Sequence, residues 1–358
     1  MMSTSRRRFL LLAGLLVSLG LSAAPFVAPV RLAAASLPAR LTDQEFWRLS
    51  TESSETDGFF RSDNLLSNEL GFQLVVPNLT RLVKPGRVYL GVGPEQNFTY
   101  IVATRPAMAV IIDIRRGNLD LQLMYKALFE LSADRAEFVS RLFAKRRPAG
   151  LTTRSTAQEI FAAYWDVPTN DAFYAENLRA IIGLLKDKHR FALSSDDSAG
   201  IEHAYHAFYW FGPRLQYSST GNFGGANQPT YADLMTATDG AGQARGYLAT
   251  EEHFAFMKDL ESRNMLVPVI GNFGGPKAIR AVGRYLKEKD ATVSTFYLSN
   301  VEQYLRQDGI WVDFCASVAT LPLDETSTFV RSVRRAGAPG FGLASELGNM
   351  SGEVQDCR

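Results

Sequence analysis

The sequence has few cysteines and few histidines, and each shortage excludes a class of protein. Cys315 and Cys357 are its two cysteines, too few for a disulfide scaffold or for a cysteine-rich metal or iron–sulfur site. The four histidines form no His-Glu-x-x-His pattern. His203 and His206 share a predicted helix face, but a metal would need further ligands from elsewhere, so no metal site is predicted.

Net charge is also nearly absent, with 38 Lys and Arg against 37 Asp and Glu. Without the four arginines among the first 35 residues, acidic residues outnumber basic ones, so we predict no nucleic-acid partner. Apolar residues are abundant. They make up 46% of the chain, with 23 Phe and 13 Tyr, which excludes a disordered chain and provides for a sizeable core.

The N-terminus has the features of an export signal. An arginine cluster at 6–8 precedes an apolar run over 9–23, and three alanines at 33–35 offer a cleavage site. Residues 5–10, Ser-Arg-Arg-Arg-Phe-Leu, resemble the twin-arginine signal, which carries folded proteins. A retained anchor is the alternative, but two prolines disfavour it. We predict a signal peptide over 1–35, the twin-arginine export machinery as a partner, a periplasmic or extracellular location, and no stable membrane span after cleavage.

The rest of the chain alternates short apolar runs with helical patterns. Because the first two runs, 87–90 and 109–112, are continuous rather than alternating in apolar character, they indicate parallel strands covered on both faces. We therefore predict an α/β fold with a doubly wound, mostly parallel, Rossmann-like sheet. The predicted strands are 87–90, 109–112, 246–249, 265–270 and 291–298.

Three parts follow the signal peptide in this prediction. An N-terminal segment, 36–80, packs on the main domain. The main α/β domain covers 81–335 and contains a helical insertion at about 132–211, between its second and third strands. A C-terminal tail covers 336–358.

The carboxyl ends of the first two predicted strands have residues typical of a nucleoside site. Gly91 and Gly93 permit a tight turn and leave room beside the amino end of the next helix. Asp113 ends the second strand, where a carboxylate can accept hydrogen bonds from both hydroxyls of a ribose. The alternative is a simple strand-to-helix turn, with Asp113 paired to Arg115 or Arg116.

The dinucleotide cofactors NAD and FAD fit this turn less well. Gln96 stands where a dinucleotide fingerprint has its third glycine, and Glu95 would repel a pyrophosphate. An adenosyl group attached to a charged amino acid has no phosphate and tolerates the acid.

Three stretches resemble an uncharacterised bacterial family with a class I S-adenosylmethionine-dependent methyltransferase-like fold. They are Tyr-Leu-Gly-Val-Gly-Pro-Glu-Gln-Asn-Phe-Thr-Tyr at 89–100, Ile-Asp-Ile-Arg-Arg at 112–116 and Phe-Tyr-Leu-Ser-Asn-Val-Glu-Gln-Tyr-Leu at 296–305. The resemblance covers roughly 58–335 and implies S-adenosylmethionine as a cofactor. The cofactor-binding residues it implies are Gly91, Gly93, Pro94, Glu95, Asn97, Asp113 and Arg115.

Two features of methyltransferases are absent from the chain. Tyr89 stands where methyltransferases usually have an acid, two residues before the first glycine. The predicted strand at 265–270 ends in Asn-Phe-Gly-Gly rather than in the Asn/Asp-Pro-Pro-aromatic motif of amino-group methyltransferases.

The candidates for catalysis lie after the later strands. Asn272, Tyr297 and Asn300 are candidates to hold a methyl acceptor, although turn chemistry also explains Asn272. Ser299 and Glu302 fit a capping box. A polar segment before the first strand either folds over the pocket or forms a solvated turn; its residues are Asp63, Asn64, Asn68 and Glu69.

Together these observations predict an S-adenosylmethionine-binding protein with a small-molecule ligand. If it is an enzyme, it is a methyltransferase whose acceptor the sequence does not identify. The alternative is a non-catalytic exported binding or scaffolding module that keeps the fold and has lost the chemistry.

Overall fold

A computed structural model describes residues 36–219, 228–338 and 342–355. The predicted signal peptide, 1–35, lies outside the described residues. Within these ranges, no helix combines the length and the apolar character that crossing a membrane requires.

One sheet organises the described residues. Its strand order is β3-β2-β1-β4-β5-β6, and every neighbouring pair is parallel except β5 and β6. This confirms the prediction of an α/β fold with a mostly parallel sheet, and the order is compatible with a Rossmann-like fold. The strands are β1 (Val88–Gly91), β2 (Met108–Asp113), β3 (Leu266–Ile270), β4 (Val293–Ser299), β5 (Thr328–Arg334) and β6 (Leu343–Asn349).

Every residue of β1, β2 and β3 is buried, which shows that both faces of the sheet are covered. The helices before β3 are α1 (Asp43–Ser53), α2 (Val76–Leu82), α3 (Gln96–Thr104), α4 (Arg116–Leu131), α5 (Arg135–Leu142), α6 (Ala157–Tyr164), α7 (Asp171–Gly183), α8 (Ser195–Phe211), α9 (Tyr231–Thr236) and α10 (Glu251–Ser262). Those after β3 are α11 (Ala278–Glu288), α12 (Val301–Gln307), α13 (Trp311–Val318) and α14 (Met350–Gln355). Two packed groups result, α3 with α4, α8 and α10, and α1 with α11 and α13.

The chain between β2 and β3 is helices and loops throughout its described part, from α4 to α10. The prediction of a strand at 246–249 was wrong, because these residues form a turn. Tyr247 of that turn is fully buried, and its hydroxyl is hydrogen-bonded to the hydroxyl of Tyr231. The apolar character of the segment therefore reflects burial in an aromatic cluster, not a place in the sheet.

The N-terminal segment is attached to the edge strand β3. Ser50 of α1 donates to the carbonyl oxygen of Pro268 at 2.5 Å, and the Ile270 N–H donates to Ser54 Oγ at 2.9 Å. The Glu55 N–H donates to the Ile270 carbonyl oxygen at 2.8 Å. These bonds hold the following residues, 57–69, beside the carboxyl edge of the sheet.

The segment predicted as a C-terminal tail, 336–358, contributes β6 and α14 in its described part. β6 is an edge strand whose residues are mostly half-buried, so its sequence, Leu-Ala-Ser-Glu-Leu-Gly-Asn, has no continuous apolar run. The strand β5 is likewise absent from the sequence prediction. Its first residues are buried, but arginines at 331 and 334 interrupt its apolar pattern.

Candidate functional site

A cavity of about 390 Å³ lies at the carboxyl ends of the strands. Its wall includes residues at or just beyond the ends of β1, β2, β3 and β4, so it lies where the strand order reverses between β1 and β4. Open α/β sheets bind ligands at this reversal. The volume is within the range of small-molecule sites, about 300–1,000 Å³.

Most of the predicted site residues meet at this cavity. Those that line it are Gly93, Pro94, Asp113, Arg115, Asn272, Tyr297 and Asn300. Three others, Gly91, Glu95 and Asn97, are buried and do not line it.

Gly91 and Asn97 shape the turn after β1 from inside the protein. The Asn97 amide donates to the carbonyl oxygens of Val92, at 2.9 Å, and Pro94, at 2.7 Å. Its Oδ1 accepts from the Tyr89 hydroxyl at 2.9 Å. A Cβ at position 91 would lie 1.9 Å from Asn97 Oδ1, so glycine is required there to admit the asparagine. Both residues hold the turn and do not face the cavity.

Gly93 is the glycine of the pair that faces the cavity. Its φ of +77° is a conformation that favours glycine, and a Cβ there would meet no atom within 4 Å. Gln122 of α4 donates to its carbonyl oxygen at 3.0 Å. The turn is therefore fixed by hydrogen bonds and open on the cavity side.

Asp113 and Arg115 form an ion pair in the cavity wall. Asp113 Oδ1 accepts from the backbone N–H of Arg115 at 2.9 Å and from its Nε at 3.1 Å, and Oδ2 accepts from its Nη2 at 3.2 Å. Arg115 also donates to the backbone carbonyl of Asp63. The structure thus contains the pairing that was the alternative to ribose binding. Asp113 lines the cavity all the same, and each carboxylate oxygen can accept two hydrogen bonds, which leaves one acceptor site on Oδ2.

Glu69 is the centre of a hydrogen-bond network in the same wall. It is 3% exposed, and its Oε1 accepts from the hydroxyls of Tyr297 at 2.9 Å and Ser299 at 2.6 Å. Its Oε2 accepts from Gln96 Nε2 at 2.8 Å. The candidate Tyr297 therefore lines the cavity, but its hydroxyl hydrogen is already engaged in a hydrogen bond to Glu69. Glu69 belongs to the polar segment that the sequence left open between a cover for the pocket and a solvated turn.

The capping box predicted for Ser299 and Glu302 was wrong. Ser299 has a φ of 49° and donates to Glu69, while Glu302 pairs with Arg331 of β5 at 2.8 Å. The helix α12 begins two residues after Ser299, and its N-cap residue, Asn300, makes no side-chain cap bond. The serine serves the cavity wall because the strand bulges between Tyr297 and Ser299.

Asn272 and Asn300 differ in how they are held. Asn272 Oδ1 accepts from the Gly274 N–H at 3.0 Å, the turn contact that the sequence offered as one explanation. Asn300 lines the cavity, and no hydrogen bond of its side chain to another described residue is present. Asn300 is therefore the freer of the two to contact a ligand.

The wall also contains residues that the sequence did not single out. Phe60 and Tyr304 meet edge to face, with ring centroids 5.4 Å apart, and Tyr217 and Phe273 complete an aromatic lining. These residues come from four separate segments of the chain, so no local motif joins them. Phe59, which also lines the cavity, is 86% exposed.

Residues 57–69 are held beside the cavity by polar contacts at their first residue and at their middle. At the start, the Arg116 N–H donates to Asp57 Oδ1 at 2.6 Å. In the middle, Asp63 accepts from the Ser219 N–H at 3.2 Å and faces His203 Nε2 at 3.6 Å. Burial alone would raise the pKa of Asp63, but the nearby imidazole of His203 and hydrogen bonds from Ser219 lower it to about 2.

The pair of His203 and Asp63 predicts a small pH dependence of stability. The carboxylate of Asp63, 3.6 Å from Nε2 of His203, raises the pKa of His203 above 6.5. The contribution of the pair to stability is therefore complete below pH 6.5 and is lost as the pH rises through the folded-state pKa. Because His203 is largely exposed, we expect His203→Gln to lower the free energy of unfolding by about 0.5 kcal/mol at pH 5.5 and by nothing at pH 8.5. Urea unfolding at both pH values measures this. An equal loss at the two pH values would contradict it.

Glu95 is a buried carboxyl behind the cavity wall. Burial raises its pKa to about 8, with a further contribution from Glu69, although the Ser67 N–H donates to it at 3.2 Å. A carboxyl whose folded pKa is raised favours the folded state at acid pH and opposes it as the pH rises from 4.5 towards 8.

Glu95→Gln is therefore expected to make stability less dependent on pH. We expect the loss of unfolding free energy between pH 5 and pH 8 to shrink by on the order of 2 kcal/mol, with a remainder from Asp120 and Glu261, whose pKa values burial also raises to about 8. Urea unfolding at pH 5 and pH 8 measures this loss for the native chain and for each variant. Glu325→Gln, at an exposed glutamate, is the control and should leave the loss unchanged. If Glu95→Gln behaves like this control, Glu95 is ionised at neutral pH.

The two histidines considered as metal ligands are used in other ways. His203 faces Asp63, and His206 stacks on Trp210 with ring centroids 6.1 Å apart. In the ranges that the structure covers, no group of three or more His, Cys, Asp or Glu side chains is arranged to hold a metal ion.

The comparison with known proteins bears on the family and not on the chemistry. No curated protein matches the chain at a significant level. Residues 65–350, which contain the six described strands and most of the cavity wall, match the family described as a domain of unknown function, DUF7790. The chain therefore belongs to the DUF7790 family.

Proposed function

We propose that the cavity binds a nucleoside ligand of the S-adenosylmethionine type. The observation that carries this proposal is that Gly93 and Asp113, from the turn after β1 and the end of β2, line one cavity where the strand order reverses. Gly93 keeps the wall open, and a ribose lying against it meets the remaining acceptor site of Asp113.

Arg115 positions Asp113 for that contact. Two guanidinium nitrogens and the backbone N–H of Arg115 fix both carboxylate oxygens, so the carboxylate needs no reorganisation when a hydroxyl group arrives. The aromatic lining provides apolar surface for a base. Glu95 does not line the cavity, and its raised pKa favours the neutral form at pH 7, so its repulsion of a ligand is small.

Methyl transfer is the reaction that such a ligand would support. The acceptor's lone pair would form a bond to the methyl carbon while the carbon–sulfur bond breaks, leaving a neutral thioether, and the acceptor would release a proton. The protein's contribution would be proximity and alignment. Asn300, with Asn272, is placed to hold the acceptor, while Tyr297 acts through its bond to Glu69.

A non-catalytic binding module is the second candidate. The observation that favours it is the satisfied ion pair of Asp113 and Arg115, which gives Asp113 a structural role even without a ligand. The missing acid at position 89 agrees with it, because the Tyr89 hydroxyl donates to Asn97, inside the turn, and Tyr89 does not line the cavity.

We also propose that the protein is exported already folded by the twin-arginine route and lies in the periplasm or outside the cell. Export in the folded state would let the protein leave with a nucleoside acquired in the cytoplasm. This matters because S-adenosylmethionine has no obvious supply outside the cytoplasm.

Native mass spectrometry of the purified full chain tests the proposal. We expect a bound species in the mass range of an adenosyl compound, released on denaturation and identified by fragmentation. Material recovered before and after export should be compared, since ligand loading in the cytoplasm predicts the species in both. A chain that carries no nucleoside and takes up neither S-adenosylmethionine nor S-adenosylhomocysteine would contradict the proposal.

A further inference from the structure

One buried carboxylate of the cavity wall forms no ion pair with another described residue. Glu69 is 3% exposed, lines the cavity and accepts hydrogen bonds from three neutral groups, the hydroxyls of Tyr297 and Ser299 and the amide of Gln96. Both carboxylate oxygens therefore act as acceptors, and all three donors are neutral. None of the ion pairs among the described residues includes Glu69, whereas the other buried wall carboxylate, Asp113, is paired with Arg115.

A buried charge without a counter-ion is costly, even when neutral donors satisfy it. Three hydrogen bonds reduce that cost, and a cationic group of a ligand would reduce it further. Glu69 Oε2 accepts one bond, from Gln96, so it retains one acceptor site. The charge of Asp113 is neutralised by Arg115. Glu69 is therefore the carboxylate without a counter-ion among the buried, described residues of the wall.

The aromatic lining also suits a cation. Phe60 and Tyr304 form an edge-to-face pair in the wall, and Tyr297 of β4 also lines the cavity. Faces of aromatic rings attract onium groups, by about 0.5–2 kcal/mol according to how dry the site is. A carboxylate and aromatic rings in one wall are a combination that recognises sulfonium and quaternary ammonium groups.

We propose that the part of the cavity wall formed by Glu69 and the aromatic residues Phe60, Tyr297 and Tyr304 recognises an onium cation. Glu69 is the residue that selects charged ligands over neutral ones. The inference rests on the proposed function for the rest of the ligand and adds the charge that this ligand carries. Two sources share the chemistry, the sulfonium of an adenosyl donor and the amine of a methyl acceptor.

The variants must separate loss of charge from loss of structure. Glu69→Gln removes the charge, but it also places an amide group opposite the Gln96 amide that donates to Glu69 in the native chain. The double variant Glu69→Gln with Gln96→Glu restores a donor facing an acceptor, keeps the net charge, and moves the carboxylate to a residue that does not line the cavity. Glu261→Gln, at a fully buried carboxyl that does not line the cavity, is the matched control.

Calorimetric titration with four probes makes the test: S-adenosylmethionine, S-adenosylhomocysteine, adenosine and tetramethylammonium. S-adenosylmethionine and S-adenosylhomocysteine differ at the sulfur, so their affinity ratio reports the sulfonium. We expect the native chain and Glu261→Gln to bind S-adenosylmethionine about tenfold more tightly than S-adenosylhomocysteine. Both Glu69 variants should lose this preference. If the amine is the source, the ratio stays near one, and tetramethylammonium binds in the presence of S-adenosylhomocysteine only while Glu69 is intact.

The two proposals fail in different ways. Nucleoside binding that ignores ligand charge, equal in the native chain and the Glu69 variants, overturns the cation site and leaves the nucleoside site standing. Glu69-dependent binding of tetramethylammonium without any nucleoside binding overturns the nucleoside site and supports the cation site. Absence of binding for all four probes overturns both.

Discussion

Asp113→Ala is expected to abolish nucleoside binding and to lower the free energy of unfolding by about 3 kcal/mol. The stability loss arises because Arg115, whose side chain is 9% exposed, would keep its charge without the carboxylate that faces it at 3.1 Å. The binding loss arises because the free acceptor site on Asp113 Oδ2, at the end of β2, would disappear. Urea unfolding and calorimetric titration with S-adenosylmethionine measure the two effects.

A second variant separates these effects. In the double variant Asp113→Ala with Arg115→Leu, the ion pair is replaced by apolar side chains, and most of the stability should return, while binding stays lost. Glu346→Ala, which breaks the exposed pair with Arg335, is the control and should cost at most about 1 kcal/mol without affecting binding. If the folded double variant binds S-adenosylmethionine as the native chain does, Asp113 is a structural residue only.

Gly91→Ala is expected to destabilise the protein by about 3 kcal/mol, the sum of overpacking and of lost hydrogen bonds. The added methyl group would lie 1.9 Å from Asn97 Oδ1 and force the asparagine out of the turn. Asn97 would then release the carbonyl oxygens of Val92 and Pro94. The turn that presents Gly93 to the cavity would lose its support, so ligand affinity should fall as well.

Gly117→Ala is the matched control for this substitution. Gly117 lies in the first turn of α4, and a Cβ there would meet no atom within 4 Å. Alanine should be neutral or stabilising by up to about 1 kcal/mol, because it favours helix. Thermal and urea unfolding compare the two variants. Equal stability of Gly91→Ala and Gly117→Ala would show that the Asn97 contact does not hold the turn.

The fold was predictable where burial extends to both faces of the sheet. The strands β1 to β4 are almost wholly buried, so their sequences are mostly apolar and visible as strands. β6 lies at the edge and pairs with β5 alone, so nothing requires an apolar run there. Tyr247 shows the opposite error, since an apolar segment was buried by aromatic neighbours rather than by strands.

The site was predictable only in its local part. Gly93 and Asp113 end two neighbouring strands, and the topology brings the ends of neighbouring parallel strands to one edge. The pairing of Asp113 with Arg115 was foreseen as an alternative because the two are close in sequence. Glu69 could not be assigned to Tyr297, because 228 residues separate them and only the folded chain brings them within 2.9 Å.

Gly91 and Asn97 show why a motif alone does not assign a role. Both belong to the stretch that resembles the methyltransferase-like family, and both were predicted to bind cofactor. In the structure they pack against each other behind the wall, and neither lines the cavity. A glycine fixes a backbone shape, but only the fold decides which side of the turn faces a ligand.

Calorimetric titration of the purified chain with S-adenosylmethionine, freed beforehand of any bound nucleoside, tests the central claim most directly. The account predicts saturable binding at one site per chain, lost in the double variant of Asp113 and Arg115 and retained in Glu346→Ala. Absence of heat and of thermal stabilisation in a folded chain, with either S-adenosylmethionine or S-adenosylhomocysteine, would contradict it.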